Sequence, residues 1–216
     1  MPWVQVERRS LATAFATTDP EQPTLCTGWT VRHLLAHLVQ REHEPLARLA
    51  DQLSRRPPGH EKHLALLVEG ARTPEGYEAL LARFAQGPSC WSPMGWADES
   101  VNFLEYVIHH EDVRRGGEGP VGARPLPDKE QDAIWSRLAV PSRLAYRRAP
   151  VGVTLARPPG ARRRVHDGED GVVLTGDPLE LLLFTSGRQA AAHVELTGPP
   201  ESVTRFEAWL DARRRL

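Results

Sequence analysis

The sequence contains little cysteine and no long apolar run. Its two cysteines, Cys26 and Cys90, form no C-x-x-C pair, which excludes a disulfide scaffold or a zinc knuckle, and each is expected to be a small buried residue. The longest apolar stretch, LELLLF at 179–184, is far too short to span a bilayer. The first residues show no charged segment that leads into a long apolar run. We therefore expect a cytoplasmic protein with no membrane partner.

A strong charge of either sign is also missing. The chain has 27 basic and 28 acidic residues, for a formal net charge of −1. This balance gives no overall electrostatic reason to expect nucleic acid as a partner. With 216 residues and 40% hydrophobic content, the chain can form one large domain or two small ones, each with an ordinary core.

The first part of the chain has helical periodicity. Thr30 is a plausible N-cap for a helix whose apolar residues follow at helical spacing, and Pro45 should break or kink that helix. A later helix is expected to be interrupted near Gly70 to Pro74. Four helices joined by short loops predict an antiparallel bundle over residues 1–116. The expected helical segments are 3–17, 31 onward, 61–86 and 98–115.

The rest of the chain predicts a second domain of mixed structure. Residues 117–128 are rich in glycine and proline and indicate a linker. Residues 129–216 alternate between strand and helix patterns, which predicts a small α+β domain and an α+β fold class for the whole chain. The expected strands are 151–157, 171–176 and 191–198, and the expected helices are 129–139, 177–187 and 199–216.

Several sequence patterns resemble known binding motifs, but their surroundings do not support a binding site. Residues 117–122 match G-x-G-x-x-G, but they follow a helix, contain a proline and lead into further prolines, so a dinucleotide site is not expected. Arginines 162–164 and 213–215 are explained by a solvated strand edge and a charged helix end. His60 and His63 fit a solvated face.

The helix predicted at 98–115 carries ionisable residues on its apolar face. Glu105 and His109 are four residues apart, about 40° around the helix, so their side chains can converge. His110 is about 140° around the helix from Glu105, so it cannot join the pair and points towards another surface. Three of the six core-facing positions are ionisable. These six positions are Val101, Leu104, Glu105, Ile108, His109 and Asp112.

A buried carboxylate needs compensation, which a divalent cation would supply. The best further ligand on an earlier helix is His37, at the edge of an apolar face, and His33 on the same face is a surface residue or a supporting contact. Two histidines and a carboxylate would leave coordination positions open for water or substrate. Alternatively, Glu105 and His109 hydrogen-bond each other and His37 is a core histidine. Spacing alone leaves both interpretations open.

Two segments carry a family resemblance. LCTGWTVRHLLAHLVQRE and VNFLEYVIHHEDVRR resemble the metal-binding helices of the DinB-like superfamily, in its mycothiol-dependent maleylpyruvate isomerase branch. LTGDPLELLLFTSGRQAAAHVELTG is similar to the smaller C-terminal domain of those isomerases. The resemblance implies that His37, Glu105 and His109 bind a divalent metal, with zinc as the usual expectation.

The resemblance also implies a function. A metal-dependent enzyme of this family would activate a low-molecular-weight, mycothiol-like thiol for transfer to, or isomerisation of, a small electrophilic substrate. Arg188 and Arg114 are the candidates for pairing with a substrate carboxylate. The alternatives are a hydrolase that activates water on the same ligands and a non-enzymatic metal-binding stress-response protein. Such relatives imply a monomer or a homodimer.

Overall fold

The computed structural model describes residues 3–54, 56, 59, 61–88, 99–119 and 121–214, the side chains of 99–101 and 214 excepted. The chain divides into two compact units, Met1–Val121 and Gly122–Leu216. This boundary lies within the segment expected to be a linker. Cys90, His60 and Arg215, for which the sequence makes predictions, lie outside the described residues.

The first unit is helical. The predicted helix at 61–86 is interrupted where expected, and Pro45 begins a new helix after the preceding one ends at His43. Its described helices are α1 Trp3–Thr17, α2 Val31–His43, α3 Pro45–Leu53, α4 Lys62–Gly70, α5 Pro74–Gln86 and α6 Glu99–Arg115.

Local chemistry fixes where these helices begin. Thr30 is the N-cap of α2, and its backbone N–H donates to Nδ1 of His33 at 3.4 Å, which is the reciprocal contact of a capping box. His33 therefore belongs to the helix cap. Thr73 caps α5 by accepting a hydrogen bond from the backbone N–H of Gly76, and Pro74 occupies the first turn, where no N–H donor is needed.

The apolar faces of α1, α2, α4, α5 and α6 enclose one core. The apolar residues predicted on α2 are fully buried, and the Phe15 and Phe84 rings pack edge to face at a centroid distance of 5.6 Å. Burying a side chain such as Leu35 contributes about 1.5–3 kcal/mol to stability. The buried residues of α2 in this core are Val31, Leu34, Leu35, Ala36, Leu38 and Val39.

A charged network lies beside this core. Nη1 of Arg8 donates to Oε2 of Glu42 at 2.7 Å and to the carbonyl of Phe84 at 2.8 Å. The Tyr106 hydroxyl accepts from Nη2 of Arg8 and donates to Oε1 of Glu42 at 2.5 Å. Because ions leave water at a high free-energy cost, this mutual pairing is what permits Arg8 and Glu42 to be buried.

The second unit combines helices with a four-stranded sheet. The elements are α7 Asp128–Arg137, α8 Ala139–Tyr146, β1 Gly152–Arg157, β2 Ala161–His166, β3 Gly171–Thr175, α9 Pro178–Thr185, β4 Glu195–Thr197 and α10 Pro200–Arg214. The strand order is β2-β1-β3-β4, in which β1 and β3 are parallel and the other pairs are antiparallel. Alternate residues of β3, most residues of β1 and nearly all of α9 are buried.

Strand β2 is absent from the strands expected from periodicity, because its residues ARRRVH show no apolar alternation. It pairs with β1 at an edge of the sheet, where Arg162 and Arg164 are exposed. Arg163 lies over the Trp135 ring at 4.7 Å. Arg162 and Arg164 thus lie on a solvated strand edge, as the sequence indicates, whereas Arg163 is half-buried. The α+β fold class is confirmed.

No helix in the described parts of the chain combines the length and the apolar character needed to traverse a bilayer.

Candidate metal centre

Glu105 and His109 converge on α6 as their helical spacing predicts. Oε2 of Glu105 lies 3.3 Å from Nε2 of His109. His109 is 8% exposed, whereas the Glu105 side chain is 36% exposed, so the carboxylate is the more solvent-exposed group of the pair. One imidazole nitrogen and one carboxylate oxygen therefore face each other.

Asp112 holds the other side of the His109 ring. Nδ1 of His109 lies 2.9 Å from Oδ2 of Asp112, whose side chain is fully buried. Because Asp112 holds Nδ1, Nε2 is the nitrogen that faces Glu105. Metal-binding histidines in proteins are commonly oriented in this way by a carboxylate on the second nitrogen.

His37 brings a second imidazole to this pair from α2. Its ring centroid lies 5.8 Å from that of His109 and 5.1 Å from that of Trp29. Burial lowers the pKa of His37 to about 3, and the positive charges of His109 and Arg48 add to this effect. At neutral pH His37 is therefore an uncharged imidazole with a lone pair available for a ligand.

The two acidic side chains favour a cation at His109. Burial by itself would lower the pKa of His109, but hydrogen bonds with Asp112, Cys26 and Glu105 outweigh burial and raise that pKa well above 6.5. Burial would likewise raise the pKa of Glu105, yet the hydrogen bond and the charge of His109 hold it at about 2. The pair therefore stabilises positive charge, which a proton or a metal ion can supply.

The donor atoms of these residues are of the types that bind a divalent metal. His37 and His109 offer imidazole nitrogens and Glu105 offers an ionised carboxylate, a donor set that suits zinc and related ions. Three protein ligands leave room for an exogenous ligand, as in catalytic sites. The three side chains of the sequence-based prediction thus lie in one neighbourhood of the first unit, and their role as ligands remains a prediction.

A different group of donor atoms lies closer together in the described part of the chain, and the sequence did not predict it. Among the described residues, one donor atom each from Cys26, His109 and Asp112 lie within 4.8 Å of one another. Cys26 is half-buried, contrary to the expectation of a buried residue, and its Sγ donates to Oδ2 of Asp112 at 3.2 Å. The signal for Asp112 was its position three residues after His109. No local pattern pointed to Cys26, because it comes from a loop 86 residues away in sequence.

His110 points away from the pair, as predicted, but it does not reach a solvent-exposed surface. It is only 8% exposed, and its Nδ1 lies 3.4 Å from Oε2 of buried Glu7 on α1. The helices α1 and α6 pack closely, so this side of α6 is covered. His110 therefore forms a contact between helices.

The two predicted arginines have partners within the chain. Arg114 donates to Oε2 of Glu111 on the same helix at 2.7 Å. Arg188 lies in the second unit, after α9, and donates to the carbonyl of Ser186 at 2.6 Å. Their role in substrate binding stays a prediction.

Two other arginines act on the predicted ligands. Nη1 of buried Arg41 donates to Oδ1 of Asn102 at 2.8 Å. The charge of Arg41 contributes to lowering the pKa values of both His37 and Glu105, and Arg48 contributes to lowering that of His37. Two arginine charges thus act on the neutral imidazole of His37. Sequence periodicity did not predict them, because it identified only the apolar faces of the helices that carry these arginines.

Comparison with known proteins supports the family resemblance. A family model described as the mycothiol maleylpyruvate isomerase N-terminal domain matches residues 5–114. The crystal structure of the mycothiol-dependent maleylpyruvate isomerase is 18% identical, with a TM-score of 0.60 and 90% of each chain covered. A histidine-to-alanine mutant of a mycothiol-dependent maleylpyruvate isomerase is 17% identical, with a TM-score of 0.58 and the same 90% coverage of both chains. These likenesses show a shared fold.

No curated protein shows a significant match to the chain. The family model, however, spans half of the chain and includes α2 and α6, the helices that carry His37, Glu105 and His109. The chain therefore belongs to the family defined by the N-terminal domain of the mycothiol maleylpyruvate isomerases.

Proposed function

We propose that this protein is a metal-dependent enzyme that activates a low-molecular-weight thiol and uses it to isomerise a small electrophilic substrate. The observation that carries the proposal is the arrangement around His109. Asp112 holds Nδ1 at 2.9 Å, and Nε2 faces Glu105 beside the neutral ring of His37. The ligands in this proposal are His37, Glu105 and His109.

Each side chain has a separate task. His37 offers a lone pair at neutral pH because burial disfavours its protonated form. Glu105 supplies negative charge that offsets the charge of a cation, and Asp112 orients His109. When bound, a divalent metal supplies Lewis acidity that favours the thiolate form of a thiol near neutral pH.

The thiolate chemistry accounts for isomerisation without net consumption of thiol. Addition of the sulfur to a conjugated carbon–carbon double bond leaves a single bond, about which the substrate can rotate. Expulsion of the same thiolate restores the double bond in the other geometry and returns the thiol. Arg41 and Arg48 provide a positive field near His37 that favours anionic reactants.

The relatives suggest the substrate class. The solved structures with the same fold are mycothiol-dependent maleylpyruvate isomerases. We infer a small unsaturated acid as substrate and a mycothiol-like thiol as cosubstrate for this chain. Arg188 and Arg114 remain the candidates for the substrate carboxylate, since either would have to exchange its present partner for the substrate.

Turnover of maleylpyruvate with and without mycothiol, together with metal content, tests this proposal. We expect conversion to the trans isomer only when thiol and metal are both present, and loss of bound metal and activity in His37→Ala. His43→Ala is the matched control on the same helix, because Nε2 of His43 contacts the carbonyl of Arg83 instead. Hydrolytic turnover that needs metal but no thiol would overturn the isomerase proposal in favour of a hydrolase. Metal binding without turnover of any kind would favour a non-enzymatic role.

A further inference from the structure

The side of His109 that faces away from Glu105 forms a different donor set, which contains sulfur. Sγ of Cys26 lies 3.2 Å from Oδ2 of Asp112, and the same oxygen lies 2.9 Å from Nδ1 of His109. The three donor atoms lie within 4.8 Å of one another. We call Cys26, His109 and Asp112 the thiol cluster. It uses the nitrogen of His109 that the proposed metal centre does not use.

Several contacts fasten the loop that carries Cys26 to the end of α6. The backbone N–H of Leu25 donates to the carbonyl of Asp112 at 3.1 Å, and Nε2 of Gln22 donates to the carbonyl of Val113 at 3.2 Å. The thiol cluster is therefore preorganised by hydrogen bonds to main-chain carbonyls of α6, and its geometry does not depend on the Cys26–Asp112 contact alone.

Gly116 allows the close approach of this loop. A Cβ atom at Gly116 would lie 2.3 Å from the Cα of Thr24 and 2.4 Å from the carbonyl oxygen of Pro23. Any side chain at Gly116 would push the loop, and Cys26 with it, away from Asp112. The glycine at this position therefore allows the loop to pack closely enough for Sγ of Cys26 to lie near His109 and Asp112.

We propose that the thiol cluster is a separate binding site for a thiophilic divalent cation, such as cadmium or an excess of zinc. A thiolate, an imidazole and a carboxylate form a softer donor set than two imidazoles and a carboxylate, and thiolates select such ions. Binding would release the thiol proton of Cys26 and the Nδ1 proton of His109 to solvent, because a metal ligand must be deprotonated.

The distances in the cluster are close to those that a metal requires. Tetrahedral zinc, with bonds of about 2.3 Å to sulfur and about 2.0 Å to oxygen, places these two ligands about 3.5 Å apart. The sulfur and oxygen are 3.2 Å apart, which is slightly shorter than that separation. Cys26 is half-buried, which leaves a route for the ion.

Occupation of the thiol cluster would also affect the proposed metal centre, a consequence that rests on the proposed function. A cation at Nδ1 of His109 replaces the hydrogen bond to Asp112 that orients Nε2 towards Glu105. The two sites therefore compete for one imidazole. Thiophilic cations are expected to inhibit the enzyme in proportion to their occupation of Cys26.

Titration with cadmium chloride tests the site directly. The protein is the full chain with Cys90→Ser, so that Cys26 is the sole thiol. We expect a saturable cadmium–thiolate absorption band with one ion per chain, and protection of Cys26 from a thiol-alkylating reagent. Adding Cys26→Ser should abolish the band. Asp112→Asn should weaken cadmium binding by about tenfold or more.

Variants of the other donor set separate this proposal from the proposed function. His37→Ala and Glu105→Gln should keep the cadmium–thiolate band, because neither residue belongs to the thiol cluster. Thermal melting of each variant checks that it is folded. Gly116→Ala provides a second perturbation, which keeps all three donor side chains but displaces the loop that carries Cys26, and it should weaken the band. Absence of a band in the Cys26-only protein, or a band that needs His37 and Glu105 but not Asp112, would overturn the proposal. If the cadmium–thiolate band appears but no metal binds to His37, Glu105 and His109, the thiol cluster is supported and only the proposed function is refuted.

Discussion

Asp112 contacts Nδ1 of His109 at 2.9 Å from a fully buried position, and so determines which face of the imidazole is presented to Glu105. The relationship lies within one helical turn of α6. The contact fixes the orientation of His109, which lies on an otherwise apolar helix face, so that Nε2 is directed towards Glu105. The account of the metal centre depends on this orientation.

Asp112→Asn tests the orienting role. The substitution keeps the size of the side chain but removes the charge that stabilises the His109 hydrogen bond, so we expect divalent-metal affinity to fall by about 10–100-fold. Competition with a chromogenic chelator measures the change. Asp167→Asn is the control, because the side chain of Asp167 is 95% exposed. Equal affinity in the two variants would contradict the role given to Asp112.

His110 and Glu105 should respond differently to truncation. Glu105→Ala removes a proposed ligand and should abolish metal binding. His110→Ala removes a contact with Glu7 on α1 and should retain the metal while lowering stability by about 1–3 kcal/mol, since it leaves a buried carboxylate with fewer partners. Metal content and chemical denaturation of both variants provide the test. Equal metal loss in the two would refute the helical-face argument.

Removing one member of the network of Arg8, Glu42 and Tyr106 should strongly destabilise the first unit. Glu42→Ala leaves the guanidinium of Arg8 buried without its carboxylate, so we expect a loss of about 3–5 kcal/mol in the free energy of unfolding. Denaturant unfolding measures the loss. Glu69→Ala is the matched control, because the Glu69–Arg72 pair is exposed and should cost only about 0–1 kcal/mol. Similar losses for the two variants would contradict the assignment.

Asp51 should make stability depend on pH in the acid range. Burial alone would raise its pKa, but hydrogen bonds from His63, Gln40 and Leu64 hold that pKa at about 2 against an ordinary value of 3.8. The unfolded chain therefore binds more protons between these values. The contribution of Asp51 is present above pH 3.8 and is lost as the pH falls towards 2.

Asp51→Asn isolates that contribution. The variant should lose about 1.5–3 kcal/mol at pH 5, because an amide cannot replace a carboxylate that accepts several donors. The difference from the wild type should shrink at pH 3. Urea unfolding at the two pH values measures it. A difference that stays constant or grows on acidification would show that the folded-state pKa of Asp51 is not depressed.

The sequence was most informative where the chemistry lies within one helix. Glu105 and His109 meet because residues four apart share a helical face, and their distance follows from helix geometry alone. Thr30, Pro45 and the break near Gly70 also marked helix boundaries correctly, because capping and proline effects act locally.

Contacts between distant segments could not be predicted in the same way. The approach of Cys26 to Asp112 depends on how the loop before α2 packs on the end of α6, with Gly116 making room. The burial of His110 depends on α1, and strand β2 forms by pairing with β1 despite its run of arginines. These features come from tertiary packing, which periodicity does not encode.

Metal content of the purified, untagged protein tests the central claim most directly. Plasma mass spectrometry of the wild type, His37→Ala and His109→Ala, purified identically, gives the metal bound per chain. We predict close to one zinc or other divalent ion per chain in the wild type and its loss in both variants. A wild type without metal after reconstitution, or variants that keep it, would contradict the proposed centre.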